Sequence, residues 1–385
     1  MDFGKVVGHE EVKAHLLEGL RHNRVPHAQL FAGPEGSGAL VLALAYACNL
    51  LAHANTEAGY TETPDLRTKA KAEKFIHPDL HFAFPVNKTK SNDAKNPVSA
   101  LFLEEWRKAL LAHPWMNAYD WYEFIGLDNR QGLINAAESL SIAEKMRLKP
   151  YEGRYKIMVI WLAEKMNIAA ANKLLKLLEE PEGNAVFLLV SEDVDDILPT
   201  ILSRTQLVKL GAIDPEDLSR HLQDKHHLSA SDATHLSRIT GGNYRRCLQI
   251  MAGDGALNLD AERFKQWMRL CFSKNVAGLL KFTEDISKIT RENQKTFLEY
   301  ALHMVRDSMV HNAGIPQLQQ STADETDFLE KFSPYIHSAN VSGFMRVFDD
   351  AILDIERNIN SKMVFFDMSV QIMQLFNRKP AGVEQ

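Results

Sequence analysis

The sequence predicts an α/β domain, a parallel sheet with helices on both faces, followed by an all-α half. Three observations predict it. Short, wholly apolar runs alternate with helical stretches as far as Leu210, the pattern of parallel strands buried on both faces. One such run ends in a glycine-rich turn that leads straight into an apolar helix. Beyond Gly211 strand patterns stop and only helical spacing remains. At 385 residues the chain exceeds the usual ~100–200 residues of one domain. The expected division is an α/β domain over 1–211, a small helical lid over 212–255 and a larger helical domain over 256–385.

The elements follow in order. Glu10 to Leu20 places Val12, Leu16, Leu17 and Leu20 near one face and predicts a helix. Gln29 to Ala32 is a buried strand stopped by Gly33-Pro34, and a long apolar helix starts at Ala39. Residues 55–130 are less regular. His77 to Pro85 predicts a strand between proline stops, Lys88 to Pro97 a loop and Leu101 to Leu111 a helix, with Trp115, Trp121 and Tyr122 supplying aromatic packing. Ile134 to Leu148 is an amphipathic helix, Tyr155 to Trp161 a central strand and Asn167 to Glu180 a helix ended by Pro181. Ala185 to Val190 is another strand, Pro199 to Ser203 a short helix and Thr205 to Leu210 a last strand. Pro215 to Lys225, Ser231 to Thr240 and Asn243 to Ala252 are helices. Gly253-Asp254-Gly255 reads as a linker, and Asp260 to Phe376 as helical with a polar interruption at Gln317 to Thr326. A frayed tail is expected at Lys379 to Gln385.

Composition narrows the function. Hydrophobic residues make up 45% and charged residues 24%, which excludes global disorder. The longest apolar run, Ala39 to Cys48, is well short of the ~18 residues of a membrane span. The opening Met1-Asp2-Phe3-Gly4-Lys5 has no basic region before an apolar core, so a cytoplasmic protein is expected. Cys48, Cys247 and Cys271 are sparse and odd in number, which fits a reducing compartment. The net charge of −6 and only short basic clusters, such as Arg67 to Lys71, argue against a chain that grips DNA alone.

The motif that stands out is damaged. A phosphate-binding loop reads G-x-x-x-x-G-K-[ST]: backbone N–H groups hold phosphates, the lysine pairs with their oxygens and the hydroxyl holds Mg²⁺. Here the stretch is Gly33-Pro34-Glu35-Gly36-Ser37-Gly38-Ala39-Leu40. The glycines keep their spacing, but Ala39 and Leu40 replace the cation and the metal ligand. Glu35 would repel a triphosphate. The second element of such a site is an apolar strand ending in two carboxylates. The candidate strand runs instead into Trp161-Leu162, with Glu164 in the next turn. A plain strand-to-helix turn is the alternative reading of the loop alone.

The downstream residues favour one reading. They are Ala163 to Asn167, Ala170-Ala171-Asn172-Lys173-Leu174-Leu175-Lys176-Leu177-Leu178-Glu179-Glu180-Pro181, Phe187 to Val190, Leu198 to Ile201 and Ser203 to Gln206. With Phe3 to Glu10 and His27 to Pro34, this ordered set resembles the AAA+ clamp-loader family over roughly residues 3–250. The lost lysine and carboxylates look most like its delta-prime class in bacterial DNA polymerase III. The resemblance implies an AAA+ P-loop-type sheet, a helical lid and a C-terminal helical collar that joins subunits. It also implies a subunit with no ATP, Mg²⁺ or other cofactor of its own, within a DNA-directed DNA polymerase holoenzyme. Partners would be tau/gamma-type ATPase subunits and a delta subunit, with the sliding clamp and primed DNA reached through the complex.

The family's Ser-Arg-Cys motif, which offers an arginine to a neighbour's ATP, maps onto Ser203-Arg204-Thr205. Such an arginine finger is expected on an exposed, rigid tip, and an arginine capping a helix end is the bland alternative. Gly241-Gly242-Asn243-Tyr244-Arg245-Arg246 resembles the family's second sensor, with Arg245 at the nucleotide-touching position. Without a competent loop, plain structural use of Arg245 is the other reading. Ser191, where ATPases keep a polar sensor, reads as ordinary loop. Only Cys48 falls where relatives carry a four-cysteine zinc module, so no zinc is expected. His77 and His81 read as a packed or exposed pair. An active ATPase with a degenerate site and a structural adaptor outside replication are the competing functions.

Overall fold

The computed structural model describes residues 2–53, 60–90, 92–127, 130–252, 256–314, 323–357 and 359–378. They form two compact units, Met1–Cys247 and Leu248–Gln385. The expected linker at Gly253–Gly255, the tail from Lys379 and residues 317–322 of the polar interruption lie outside the described residues.

In the first unit five strands form one sheet: β1 (Ala28–Ala32), β2 (Leu80–Ala83), β3 (Lys156–Trp161), β4 (Ala185–Ser191) and β5 (Gln206–Lys209). Their order is β2-β3-β4-β1-β5 and every pairing is parallel. All residues of β1, β3 and β4 are buried, as strands covered on both faces must be. On the edge strand β5 only Val208 is buried.

The surrounding helices are α1 (Glu10–Arg21), α2 (Ala39–His53), α3 (Leu66–Glu73), α4 (Leu103–Ala112), α5 (Ala118–Phe124), α6 (Ala136–Met146), α7 (Ile168–Glu179) and α8 (Pro199–Leu202). Nearly all of α2 is buried, which explains why its sequence is apolar all round. Asn135 and Asn167 cap α6 and α7 by accepting backbone N–H groups, so both helices start one or two residues later than periodicity suggests. Leu30, Ile160, Leu174, Phe187 and Leu189 share one core with Ile142 of α6. A second, aromatic core is built from Phe84, Trp106, Trp121 and Trp161, with Phe84 stacked on Trp106 at 4.2 Å.

Among the described residues of 55–130, α4 is the helix expected at Leu101 to Leu111, while α3 and α5 add regularity that the sequence does not suggest. The strand expected over His77 to Pro85 contracts to Leu80–Ala83. Asp79 explains the loss of its first residues. Its buried carboxylate leaves the strand and accepts the backbone N–H groups of Tyr151, Glu152 and Gly153 at 2.6, 2.8 and 3.1 Å. His77 and His81 are packed rather than exposed, and burial lowers the His81 imidazole to about 4. After β5 come α9 (Pro215–His226), α10 (Ala230–Ile239) and α11 (Tyr244–Ala252), the last crossing into the second unit.

The second unit contains α12 (Ala256–Phe272), α13 (Val276–Ile286), α14 (Arg291–Asn312), α15 (Ala323–Phe332), α16 (Val341–Glu356) and α17 (Ser361–Phe376). Its core centres on Trp267, which stacks on Phe282 at 5.6 Å and donates its indole N–H to Ser369 Oγ at 2.8 Å. Leu279, Phe297, Leu298 and Val305 are buried there, Leu270 and Leu302 pack at its edge, and Leu280 is 48% exposed.

Cys48, Cys247 and Cys271 are free and buried. Burial pushes their thiols up to about 12, 11 and 12. A buried thiol is a poor nucleophile. The native chain should therefore consume almost no aromatic disulfide reagent at pH 8, and three equivalents once unfolded. One native thiol reacting as fast as free cysteine would contradict this packing.

Candidate functional site

The glycine-rich turn leaves the carboxyl end of β1, where Gly33 donates its N–H to Ser191 O at 3.2 Å. Gly36 and Gly38 have φ of +75° and +92°, the left-handed region that side chains strain to enter. Both are also crowded. A Cβ on Gly36 would lie 1.8 Å from Asn243 Oδ1, and one on Gly38 would lie 2.8 Å from the Trp115 ring. Behind the loop Ala39 and Leu40 are 7% and 6% exposed. The positions of the phosphate lysine and the metal-holding hydroxyl are thus apolar and buried.

Trp115 lies where the loop opens. It meets the Tyr244 ring edge-on at 4.7 Å and, with Pro114 and Met116, lines the cavity over the loop. The space left, bounded also by Trp161, Val190 and Glu192, is about 30 Å³. That is room for a few water molecules at most, against the ~300 Å³ or more of an ordinary ligand pocket.

The charges there are paired internally. Arg245, on the first turn of α11, has a side chain only 5% exposed. Its Nη1 donates to Glu35 Oε1 at 2.9 Å. Its Nε and Nη2 donate to the two oxygens of Asp120 at 2.6 and 2.7 Å. Asn117 Nδ2 donates to the other Glu35 oxygen at 3.0 Å. Asn117 and Asp120 also form the capping box of α5. Glu35, expected to repel a triphosphate, is held by the arginine expected to touch one.

At the end of β3, Trp161 packs into the aromatic core 5.0 Å from Trp106. Leu162 takes a left-handed conformation and starts the turn that carries Glu164. The Glu164 carboxyl is buried, which raises its pKa, and its Oε1 accepts the N–H of Glu192 at 3.2 Å. Ser191 donates its hydroxyl to Asp193 O at 2.6 Å within the following loop.

Arg204 stands apart from this site, just past α8. It is less free than an exposed tip implies, because its side chain is 32% exposed. Its Nε donates to Glu179 Oε1 at 2.6 Å and its Nη2 also pairs with that carboxylate. Its Nη1 donates to Thr200 O at 2.9 Å and Ser203 Oγ at 3.1 Å. The carboxylate at the end of α7 was not foreseen as its partner, although both residues lie inside the motif series.

A parallel sheet in this strand order, with a glycine-rich loop after β1 and a small helical unit after the last strand, defines an AAA+ protein of P-loop type. A family described as DNA polymerase III, delta subunit, matches residues 8–214, and the chain belongs to it. The chain is 26% identical to DNA polymerase III subunit delta' of Bacillus subtilis over 212 residues, covering 54% of this chain and 49% of that protein. It is 52% identical to the delta' subunit of Pseudomonas aeruginosa over 95 residues, 24% of this chain and 28% of that one. Against DNA polymerase III subunit tau of Salmonella typhimurium it is 27% identical over 275 residues, 67% of this chain and 35% of that protein. The chain thus spans half or less of the length of these relatives. The class they define is the clamp-loader AAA+ family, delta-prime-like.

The sequence missed Trp115 as the plug, and Asn117, Asp120 and Asn243 as parts of the site. Asn117 and Asp120 carry a capping signal, but nothing local ties them to Arg245.

The crowding at Gly36 yields a stability prediction. Gly36→Ala adds a Cβ in a left-handed backbone against the Asn243 side chain, so it should cost about 1–3 kcal/mol or more. Urea unfolding would measure this, and an unchanged midpoint would show that the loop does not sit against α11.

Proposed function

We propose that this chain is a clamp-loader subunit that does not turn over ATP itself and lends Arg204 to nucleotide bound by a neighbouring subunit. One observation carries the reading. The phosphate loop keeps its glycines, yet Trp115 lies against Gly38 and buried Ala39 and Leu40 stand where chemistry is needed. No carboxylate ends β3. An arginine in trans stabilises charge developing on the γ-phosphate and is worth roughly 10³–10⁵ in rate. The Arg204–Glu179 pair is partly exposed, and such pairs contribute about 0–1 kcal/mol. Exchanging Glu179 for a phosphate therefore costs little.

The partners in this reading are tau/gamma-type ATPase subunits and a delta subunit, with the clamp and primed DNA engaged through the assembly. The chain holds no ATP, Mg²⁺ or zinc of its own. Among the described residues no group of three or more His, Cys, Asp or Glu is placed to hold a metal, and no helix is long and apolar enough to cross a membrane. The helical unit Leu248–Gln385 is the oligomerisation collar.

Two experiments test the reading. Arg204→Ala should fold normally, since surface substitutions away from special sites usually stay within about 0.5 kcal/mol. In a complex where only the neighbouring ATP site is competent, single-turnover hydrolysis should fall steeply. Arg204→Lys should rescue it poorly, because an ammonium lacks the planar fork. Unchanged hydrolysis with the variant incorporated would remove the finger. Deleting residues 256–376 should abolish assembly, and full assembly without them would refute the collar.

A further inference from the structure

We propose that Arg245 is a latch that holds the α9–α11 unit shut over the glycine-rich loop without any ligand. The idea rests on the reading that the chain's own nucleotide site is silent. It goes beyond it by saying what fills the site and what that does to the lid.

Three segments remote in sequence meet at one guanidinium. The links to Asp120 and Glu35 span 125 and 210 residues, so each joins a different part of the unit. The pair with Asp120 is bidentate and that with Glu35 is charge-assisted, the stronger kinds of hydrogen bond. Around it the backbones also close up. Tyr244 N donates to Gly36 O at 3.3 Å and Ile213 N to Gly242 O at 3.2 Å. The Tyr244 ring meets Trp115, and its hydroxyl lies 3.2 Å from His221 Nε2 and 2.9 Å from His226 Nε2. The α9 helix is thereby tied to the same cluster. An arginine at a loop of this type would find its anion on a bound phosphate. Here the anion, Glu35, is built into the loop, so closure needs nothing from solution. The sheet and the three helices then move as one piece.

The test is hydrogen exchange on the full-length chain, comparing wild type, Glu35→Gln and Arg245→Gln, each with and without ATP–Mg²⁺. Losing a charge-assisted bond should speed local opening about tenfold or more. The effect is expected in peptides covering 114–124 and 230–247, with strands 156–161 and 185–191 unchanged. Wild type should show the same protection with and without nucleotide. If Arg245→Gln loosens the whole chain, the milder Glu35→Gln, which leaves Arg245 paired with Asp120, decides the matter. Wild-type exchange in both variants would overturn the latch. So would a rise in wild-type lid protection on adding ATP–Mg²⁺, because closure would then depend on ligand. A nucleotide that binds without altering lid exchange would contradict the silent site and leave the latch standing.

Discussion

A guanidinium with 5% of its side chain exposed has almost no water with which to share its charge. Carboxylates must therefore be brought to Arg245, because a buried cation left without its partners is costly. That requirement shapes the surroundings. Glu35 is carried on the turn between Gly33 and Gly38, and Asp120 on the first turn of α5, where it also closes the capping box with Asn117. Bringing both carboxylates in draws the loop against α11, so Gly36 has no room for a Cβ beside Asn243. The same approach lays Trp115 on Gly38 and fills the space above the loop.

The proposed function rests on the contrast between two arginines. Arg245 is spent inside, satisfied by the chain's own carboxylates. Arg204 lies at the end of α8 beside a single partly exposed carboxylate, which a stronger anion can replace. In a family whose fold is built around a phosphate loop, the interior of this loop has become packing, while a cation remains near the surface. In the proposed reading, Ala39 and Leu40 at the head of α2 and Trp161 at the end of β3 stand where groups that bind metal and activate water would be needed.

Much of this was legible in the sequence. The apolar runs at Gln29, Tyr155 and Ala185 marked central strands because parallel strands are buried on both faces. The damaged loop was visible because its chemistry depends on residue types at fixed spacing. The stretch from residue 55 to 130 was legible only in part, at β2 and α4, because the rest of its structure comes from distant partners. Asp79 delays the start of a strand to bind a turn some 72–74 residues away. Trp115 read only as aromatic packing, since no local pattern says which glycine it will cover. Arg245 was assigned by resemblance to a nucleotide contact, with structural use as the alternative. Its partners could be found only once the chain was folded. Arg204 was expected on an open tip, and Glu179 was overlooked because the end of α7 and the turn after α8 meet only in space.

The central claim is that the chain occupies its own phosphate-loop site. The most direct measurement is a titration of the purified full-length chain with a non-hydrolysable ATP analogue and Mg²⁺, read by equilibrium dialysis with radiolabelled ligand. The account predicts no saturable binding up to millimolar ligand, because about 30 Å³ remains over the loop. Stoichiometric binding at micromolar ligand would contradict it.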